Sequence, residues 1–111
     1  MKNKKIIILG GTGFVGHFLK NILDTSNHIT YIGRSTQISY NIGQEVTREL
    51  KELISSSDVV MFASWNFYIE ENSYVNIHVN SVVQILRLCR EMETSFLFIS
   101  TFLANSASKS R

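Results

Sequence analysis

The chain has 111 residues, enough for one domain with a single hydrophobic core, and its 44% hydrophobic and 18% charged residues are typical of a globular protein rather than a disordered one. The net charge of +2 is too small to indicate nucleic-acid binding, and no apolar run approaches the ~20 residues of a membrane-spanning helix. The single cysteine, Cys89, cannot form an internal disulfide, so we expect a cytoplasmic protein in which this thiol is buried.

The first half of the chain begins with strand, turn and helix signals. Residues 5–9, "KIIIL", are apolar after the lysine, which is typical of a strand buried on both faces. A glycine-rich turn follows, and residues 14–23 carry an apolar stripe at helical spacing. Residues 28–32, "HITYI", predict a second strand. Residues 38–42, "ISYNI", are a weak strand candidate, because only about five residues separate them from that strand and a parallel crossover needs about a dozen.

The second half of the chain alternates in the same way. A helix with its charges on one side is predicted at residues 45–55, and "DVVMFAS", residues 58–64, is a third buried strand. Residues 65–72 are predicted to be a loop, and a long helix runs from about residue 73 to residue 92. Residues 95–100, "SFLFIS", complete the pattern as a further apolar strand.

Apolar strands that alternate with helices predict an α/β fold, in which a parallel sheet is covered by helices on both faces. We expect residues 5–9 at the centre of the sheet, flanked by residues 28–32 and 58–63, with residues 95–100 beyond the latter.

The glycine-rich turn lies between a strand and a helix, which is the setting in which such a turn binds phosphate. Its spacing is G-x-x-G-x-x-G at Gly10, Gly13 and Gly16, and Phe14 and Val15 lie inside it. The first glycine permits a tight turn, the second lets the backbone approach a pyrophosphate, and the third lets the helix pack against the first strand. The turn predicts a dinucleotide site at residues 10–16, and close packing alone is the alternative explanation.

The end of the second strand bears on the choice of cofactor. An acidic residue there would accept hydrogen bonds from the adenosine ribose of NAD, but the sequence has Gly33 followed by Arg34 and Ser35. A guanidinium pairs with a 2′-phosphate through charge-assisted hydrogen bonds, and a serine hydroxyl can add another. We therefore predict NADP, with NAD as the alternative if Arg34 is only a solvated loop charge.

The chain resembles the extended short-chain dehydrogenase/reductase family, the NAD(P)-dependent epimerases and dehydratases of nucleotide sugars. "GGTGFVG" is similar to the glycine turn of the family, and "DVVMFAS" to its fourth strand, usually D-x-V-I-H-x-A. "HVNSVVQILRLC" resembles the helix that opens N-V-N-G-T-x-x-L-L, and "FLFIST" resembles the fifth strand with its terminal Ser/Thr. The resemblance implies a Rossmann-like fold over nearly the whole chain.

The same resemblance implies roles for residues outside the glycine turn. Ala63 and Ser64 would line the cofactor, and Asn80 would be the helix asparagine. Thr101 would be the catalytic residue that orients the reacting oxygen of the substrate, with Ser100 as the neighbouring alternative. A hydroxyl that caps local backbone is the competing interpretation of Thr101, and a bond to a nearby loop is that of Asn80. No metal site is predicted.

The chain departs from the family after its fifth strand. The family pair Tyr-x-x-x-Lys is absent, Gln44 stands where an acid follows the family's third strand, and the substrate domain is missing. We therefore expect a truncated, partial NAD(P)-binding domain over residues 1–104 and a frayed tail over residues 105–111.

Three functions are compatible with these features. The favoured one is the amino-terminal portion of a nucleotide-sugar epimerase, dehydratase or reductase, which would meet a nucleotide sugar only in a full-length form. The alternatives are a stand-alone NADP-binding or sensing module and a structural subunit. In each case the apolar edge at residues 95–100 and part of the long helix would be uncovered, so we expect dimerisation or aggregation.

Overall fold

The computed structural model describes residues 2–10, 18–19, 21–23, 25–64 and 71–99. The strands and helices delimited within them are β1 (Lys5–Leu9), β2 (His28–Ile32), α1 (Arg48–Ser55), β3 (Val59–Phe62), α2 (Glu71–Glu91) and β4 (Ser95–Phe98). Residues 18–19 and 21–22, between β1 and β2, are also helical. The predicted alternation of strands and helices is confirmed.

The strands form one parallel sheet in the order β2-β1-β3-β4. Ile7 at the centre of β1 is opposite Thr30 of β2 on one side and Val60 of β3 on the other. Val60 is in turn opposite Phe96 of β4. The predicted α/β fold and its strand order are therefore confirmed.

β1 is apolar after the exposed Lys5 because both of its faces are covered. Ile6 and Ile8 pack on one face of the sheet with Leu19, which lies in the helical stretch after β1. Ile7 and Leu9 pack on the other face, in the cluster to which α1 and α2 contribute. Helices on both faces of the sheet are thus observed.

The beginning of α1 is decided by a side chain and not by the apolar pattern. The sequence predicts helix from residue 45, but the helix begins at Arg48 and Thr47 is its N-cap. The Thr47 hydroxyl accepts a hydrogen bond from the backbone N–H of Leu50 at 3.2 Å, which satisfies one of the unpaired donors of the first turn. Leu50 and Ile54, one turn apart, are the buried residues of α1.

The long helix α2 begins earlier than the sequence predicts. Glu71 and Asn72 belong to it, so the predicted loop at residues 65–72 is wrong for these two residues. The remainder of that loop, residues 65–70, lies outside the described residues.

Cys89 is buried as predicted, with 1% of its surface exposed. It lies on α2 one turn after Ile85, and both residues belong to the hydrophobic core. Burial raises the pKa of its thiol to about 11, so the reactive thiolate is scarce at neutral pH. Cys89 is a packing residue.

The segment between β2 and α1 contains no strand, so the weak strand prediction at residues 38–42 is wrong. Ile38, Tyr40 and Ile42 instead pack against the core from irregular backbone. The ring of Tyr40 meets Phe62 of β3 edge-on, with ring centroids 6.1 Å apart. Residues 33–37, between β2 and Ile38, are too few for a parallel crossover. The alternating apolar side chains at residues 38–42 cover a face of the sheet instead.

One edge of the described sheet and one side of α2 expose apolar side chains. Leu97 and Phe98 of β4 are each 46% exposed, so β4 is less buried than its composition predicts. On α2, Val75 and Val79 are more than half exposed. The uncovered surface expected from the sequence is present. In the described part of the chain, neither helix is long and apolar enough to cross a membrane.

Candidate functional site

The carboxyl ends of β1, β2 and β3 meet at one edge of the sheet. Gly10, directly after β1, donates its backbone N–H to the carbonyl of Ile32 in β2 at 2.7 Å. Ala63, directly after β3, donates its N–H to the carbonyl of Leu9 at 2.8 Å. The strand order reverses between β1 and β3, and open α/β sheets bind ligands at the carboxyl edge of such a reversal.

Gly10 lies at this reversal, and the structure requires a glycine there. Its φ is +87°, in the left-handed region that side chains disfavour. A Cβ atom on Gly10 would lie 2.7 Å from the carbonyl carbon and oxygen of Ala63 and 2.8 Å from the nitrogen of Ser64. The turn after β1 is therefore pressed against the backbone that follows β3.

Ala63 and Ser64 form the wall of the site on the β3 side. Both are buried, with 7% and 9% of their surfaces exposed. Beyond them the sheet continues to β4, where Ile99 donates its N–H to the carbonyl of Phe62 at 2.9 Å. The two residues lie at the carboxyl edge, as expected for residues that line a cofactor, and that role stays a prediction.

Arg34 and Ser35 lie in the loop that follows β2. Both are exposed, and the bond between Gly10 and Ile32 keeps the start of this loop beside the glycine turn. Among the described residues, the Arg34 guanidinium makes no ion pair or hydrogen bond. A cation that has no partner within the described part of the chain therefore lies close to the end of β2, where a 2′-phosphate is predicted.

Asn80 lines two grooves in the described part of the chain, and neither of them contains the residues at the carboxyl edge of the sheet. It lies on the exposed side of α2 and borders a groove of about 510 Å³ that Lys51 and Arg87 also line. A smaller groove of about 190 Å³ lies between Asn80 and Gly43. None of the described carboxyl-edge residues lines either groove, so a role for Asn80 in cofactor binding stays a prediction.

Two buried polar residues of α2 escape a search based on apolar periodicity. When N-V-N-G-T-x-x-L-L is aligned on α2, its first asparagine falls at His78 and its glycine at Ser81. They are 3% and 4% exposed. The Ser81 hydroxyl accepts a hydrogen bond from the N–H of Gly43 at 3.0 Å and so ties α2 to the segment before α1. The polar positions of the family motif are therefore the feature of the sequence that could have predicted these two residues.

Tyr40 is the described tyrosine buried most deeply, and its position does not suit it to acid–base chemistry. Its hydroxyl makes no hydrogen bond within the described residues. Burial raises the pKa of Tyr40, and the nearby Ser81 side chain offsets this only in part. The catalytic tyrosine of the resembled family has a lowered pKa, so Tyr40 is not its substitute.

Several predicted site residues cannot be placed. The residues of the glycine turn and of the final strand that lie outside the described part of the chain are Gly13, Phe14, Val15, Gly16, Ser100 and Thr101.

Residues 6–108 match the NAD dependent epimerase/dehydratase family. The chain belongs to this family. Among curated proteins, none matches the sequence. Among solved structures, the chain is similar to capsular polysaccharide assembling protein CapF from Staphylococcus aureus, with 21% identity and a TM-score of 0.44. The match covers 84% of this chain and 29% of the CapF chain, so the chain spans less than a third of that protein's length.

Membership of the NAD dependent epimerase/dehydratase family implies use of NAD(P), and the described residues fit such a cofactor. Gly10 leaves the turn without a side chain at the β1–β3 reversal. Ala63 and Ser64 have small side chains, and Arg34 provides an exposed cation beside the end of β2. NAD and NADP are not distinguished by family membership.

Proposed function

We propose that the chain binds NADP across the carboxyl ends of β1, β2 and β3, as the amino-terminal part of a cytoplasmic nucleotide-sugar epimerase, dehydratase or reductase. The observation that carries this proposal is the position of Gly10, in a turn that requires glycine at the point where the strand order reverses. Family membership over residues 6–108 supports the same cofactor class.

The pyrophosphate would be held by the glycine turn, residues 10–16. Gly10 and Gly13 would let the backbone approach the phosphates, and the helix after the turn would direct its unpaired N–H groups at them. Ala63 and Ser64 would form the opposite wall, close to the nicotinamide half of the cofactor. Their small side chains would leave room for the cofactor at this wall.

Arg34 would select NADP over NAD. Gly33 occupies the position at which a carboxylate would favour the ribose hydroxyls of NAD and repel a 2′-phosphate. Arg34 and Ser35 follow it, exposed and next to the glycine turn. Because the Arg34 guanidinium has no partner among the described residues, it would not have to break a bond to reach the phosphate.

The bound dinucleotide would exchange hydride with a sugar carbon. In that reaction Thr101 would orient the sugar oxygen and Asn80 would support the site from the long helix, as the resemblance implies. A proton donor or acceptor must act on the same oxygen, and the chain has no Tyr-x-x-x-Lys to supply one. We therefore propose cofactor binding for this chain and sugar chemistry only for a full-length form.

Self-association is proposed for the isolated chain. Leu97 and Phe98 lie on an edge strand and are half exposed, and unpaired apolar edges pair readily with other chains. Sedimentation at tens of micromolar should show dimers or larger species, whereas a stable monomer would contradict this proposal.

Calorimetric titration of the 111-residue chain with NADP, NADPH and NAD tests the cofactor proposal. Arg34→Ala should weaken NADP binding by about 1.5–3 kcal/mol, the usual value of a hydrogen bond to a charged group, and leave NAD nearly unchanged. Gly13→Val should abolish binding of both dinucleotides, because its side chain would occupy the place of the pyrophosphate.

Arg48→Ala is the matched control for loss of a positive charge. Arg48 is exposed on α1 and forms only a surface ion pair with Glu52, with 3.3 Å between the Nε and Oε1 atoms. It should leave both affinities unchanged. Equal losses for NAD and NADP in Arg34→Ala, or none, would show that Arg34 is an ordinary loop charge. Absence of binding by the wild-type chain would refute the proposed function.

A further inference from the structure

The loop after β2 is closed by one side chain, that of Thr36. Its Oγ1 atom accepts a hydrogen bond from the backbone N–H of Gly33 at 3.0 Å. The same atom lies 2.7 Å from the carbonyl oxygen of Ile38 and 3.1 Å from that of Gly33, to either of which its hydroxyl can donate. The hydroxyl therefore joins both ends of residues 33–38.

The loop is also fixed to the sheet. Tyr40 donates its N–H to the carbonyl of Gly33 at 3.0 Å, and the Tyr40 ring is buried against Phe62. On the other side, the bond from Gly10 to Ile32 holds the end of β2. Arg34 and Ser35 are thus exposed, as is Gln37, in a loop that is fastened at both of its ends.

We propose that Thr36 is a positioning residue for NADP selectivity: its hydroxyl holds the loop in the conformation that places Arg34 and Ser35 at the 2′-phosphate. This inference rests on the proposed function. Thr36 is half-buried and bound to backbone, so it acts through Arg34 and not on the cofactor. A loop ordered in advance does not lose its conformational freedom when the phosphate binds.

Loss of the hydroxyl should affect the two dinucleotides differently. Without Oγ1, the N–H of the buried Gly33 has no acceptor, and the loop must open to reach water. Arg34 then samples more positions, and the contact with the 2′-phosphate weakens. NAD lacks that phosphate, so its affinity depends on the glycine turn and not on this loop.

The experiment measures the dissociation constants of NADP and NAD for the full chain and three variants. Thr36→Val, which has the same shape without the hydroxyl, should raise the dissociation constant for NADP about tenfold, or 1.4 kcal/mol, and that for NAD less than about twofold. Thr36→Ser retains the hydroxyl and should restore the wild-type ratio. Thr47→Val removes a comparable hydrogen bond at the start of α1 and should lower the melting temperature without changing the ratio.

A double-mutant cycle with Arg34→Ala tests whether Thr36 acts through Arg34. In the Arg34→Ala background, Thr36→Val should cause no further loss of NADP affinity. Additive losses, or equal losses for NADP and NAD in the folded Thr36→Val variant, would overturn the inference while leaving the proposed cofactor intact. A wild-type chain that binds no dinucleotide would overturn both.

Discussion

Substitution of Gly10 by alanine measures how tightly the turn after β1 is pressed against β3. Two costs are expected. A residue with a side chain at a φ of +87° is strained by roughly 1–2 kcal/mol. The new methyl group would also lie 2.7–2.8 Å from three backbone atoms of Ala63 and Ser64, so one of the two strand ends must shift. Forced repacking of this kind costs about 1–3 kcal/mol more.

Gly43→Ala separates these two costs. Gly43 has a nearly identical φ of +85°, but a Cβ atom there would approach only the Cγ2 atom of Ile77, at 3.2 Å. It should therefore lose little beyond the conformational strain. Gly10→Ala should destabilise the chain by about 2–5 kcal/mol in total, a large part of the 5–15 kcal/mol typical of a domain.

Urea unfolding followed by far-ultraviolet circular dichroism is the assay. The midpoint should fall for both variants, with an unchanged slope, and it should fall further for Gly10→Ala. In thermal unfolding, each kcal/mol corresponds to about 4–8 °C in a domain of this size. If Gly10→Ala costs no more than Gly43→Ala, the close approach of the β1 turn to the β3 end plays no part in stability, and the reasoning fails.

Three further outcomes are expected. Tyr40→Phe should be neutral or slightly stabilising near pH 7, because the hydroxyl makes no hydrogen bond in the described structure. Since the folded-state pKa of Tyr40 is raised, the stability of the wild-type chain should decline as the pH rises above about 10, and that of the variant should decline less steeply. Urea midpoints measured from pH 8 to 11 test this. Cys89 should react with a thiol reagent only after unfolding, and rapid labelling of the native chain would contradict its burial. Because burial raises the pKa of this thiol to about 11, the unfolded chain loses the thiol proton first, and a second loss of stability begins near pH 9. Finally, the purified chain should convert no nucleotide sugar with NADP or NADPH, because its sequence lacks the Tyr-x-x-x-Lys pair that would move the proton. Turnover that disappears in Thr101→Ala would disprove this.

The sheet could be predicted from the sequence because its central strands are buried on both faces. Residues 6–9 and 59–63 are continuous apolar runs, and in an alternating α/β pattern such runs leave little choice of position in the sheet. The segment at residues 38–42 misled because it alternates like a strand. Its apolar side chains reach the core without sheet hydrogen bonds, and only the short spacing from β2 argued against a strand.

Only part of the candidate site could be predicted from the sequence. The glycine turn carries a spacing that backbone geometry imposes, so Gly10 could be identified with a physical reason. The hydrogen bonds of Thr36 and Ser81 could not, because the Thr36 hydroxyl binds irregular backbone and the Ser81 hydroxyl binds the N–H of Gly43, which is distant in the sequence. The start of α1 was missed in the same way, since Thr47 ends the irregular segment by a side-chain hydrogen bond and not by its hydropathy.

The central position of β1 has a consequence for how the chain folds. β1 is synthesised before β3, yet β3 is its second neighbour in the sheet, and the bond from the Lys5 N–H to the Asp58 carboxylate joins residues 53 positions apart. Every strand pairing in the described sheet is parallel and bridged by a long stretch of chain, so loop closure must precede the gain from burial. Folding should therefore be slow for a chain of this length. During synthesis, one edge of β1 has no strand partner until β3 has left the ribosome. In that interval the isoleucines of β1 can contact wrong partners.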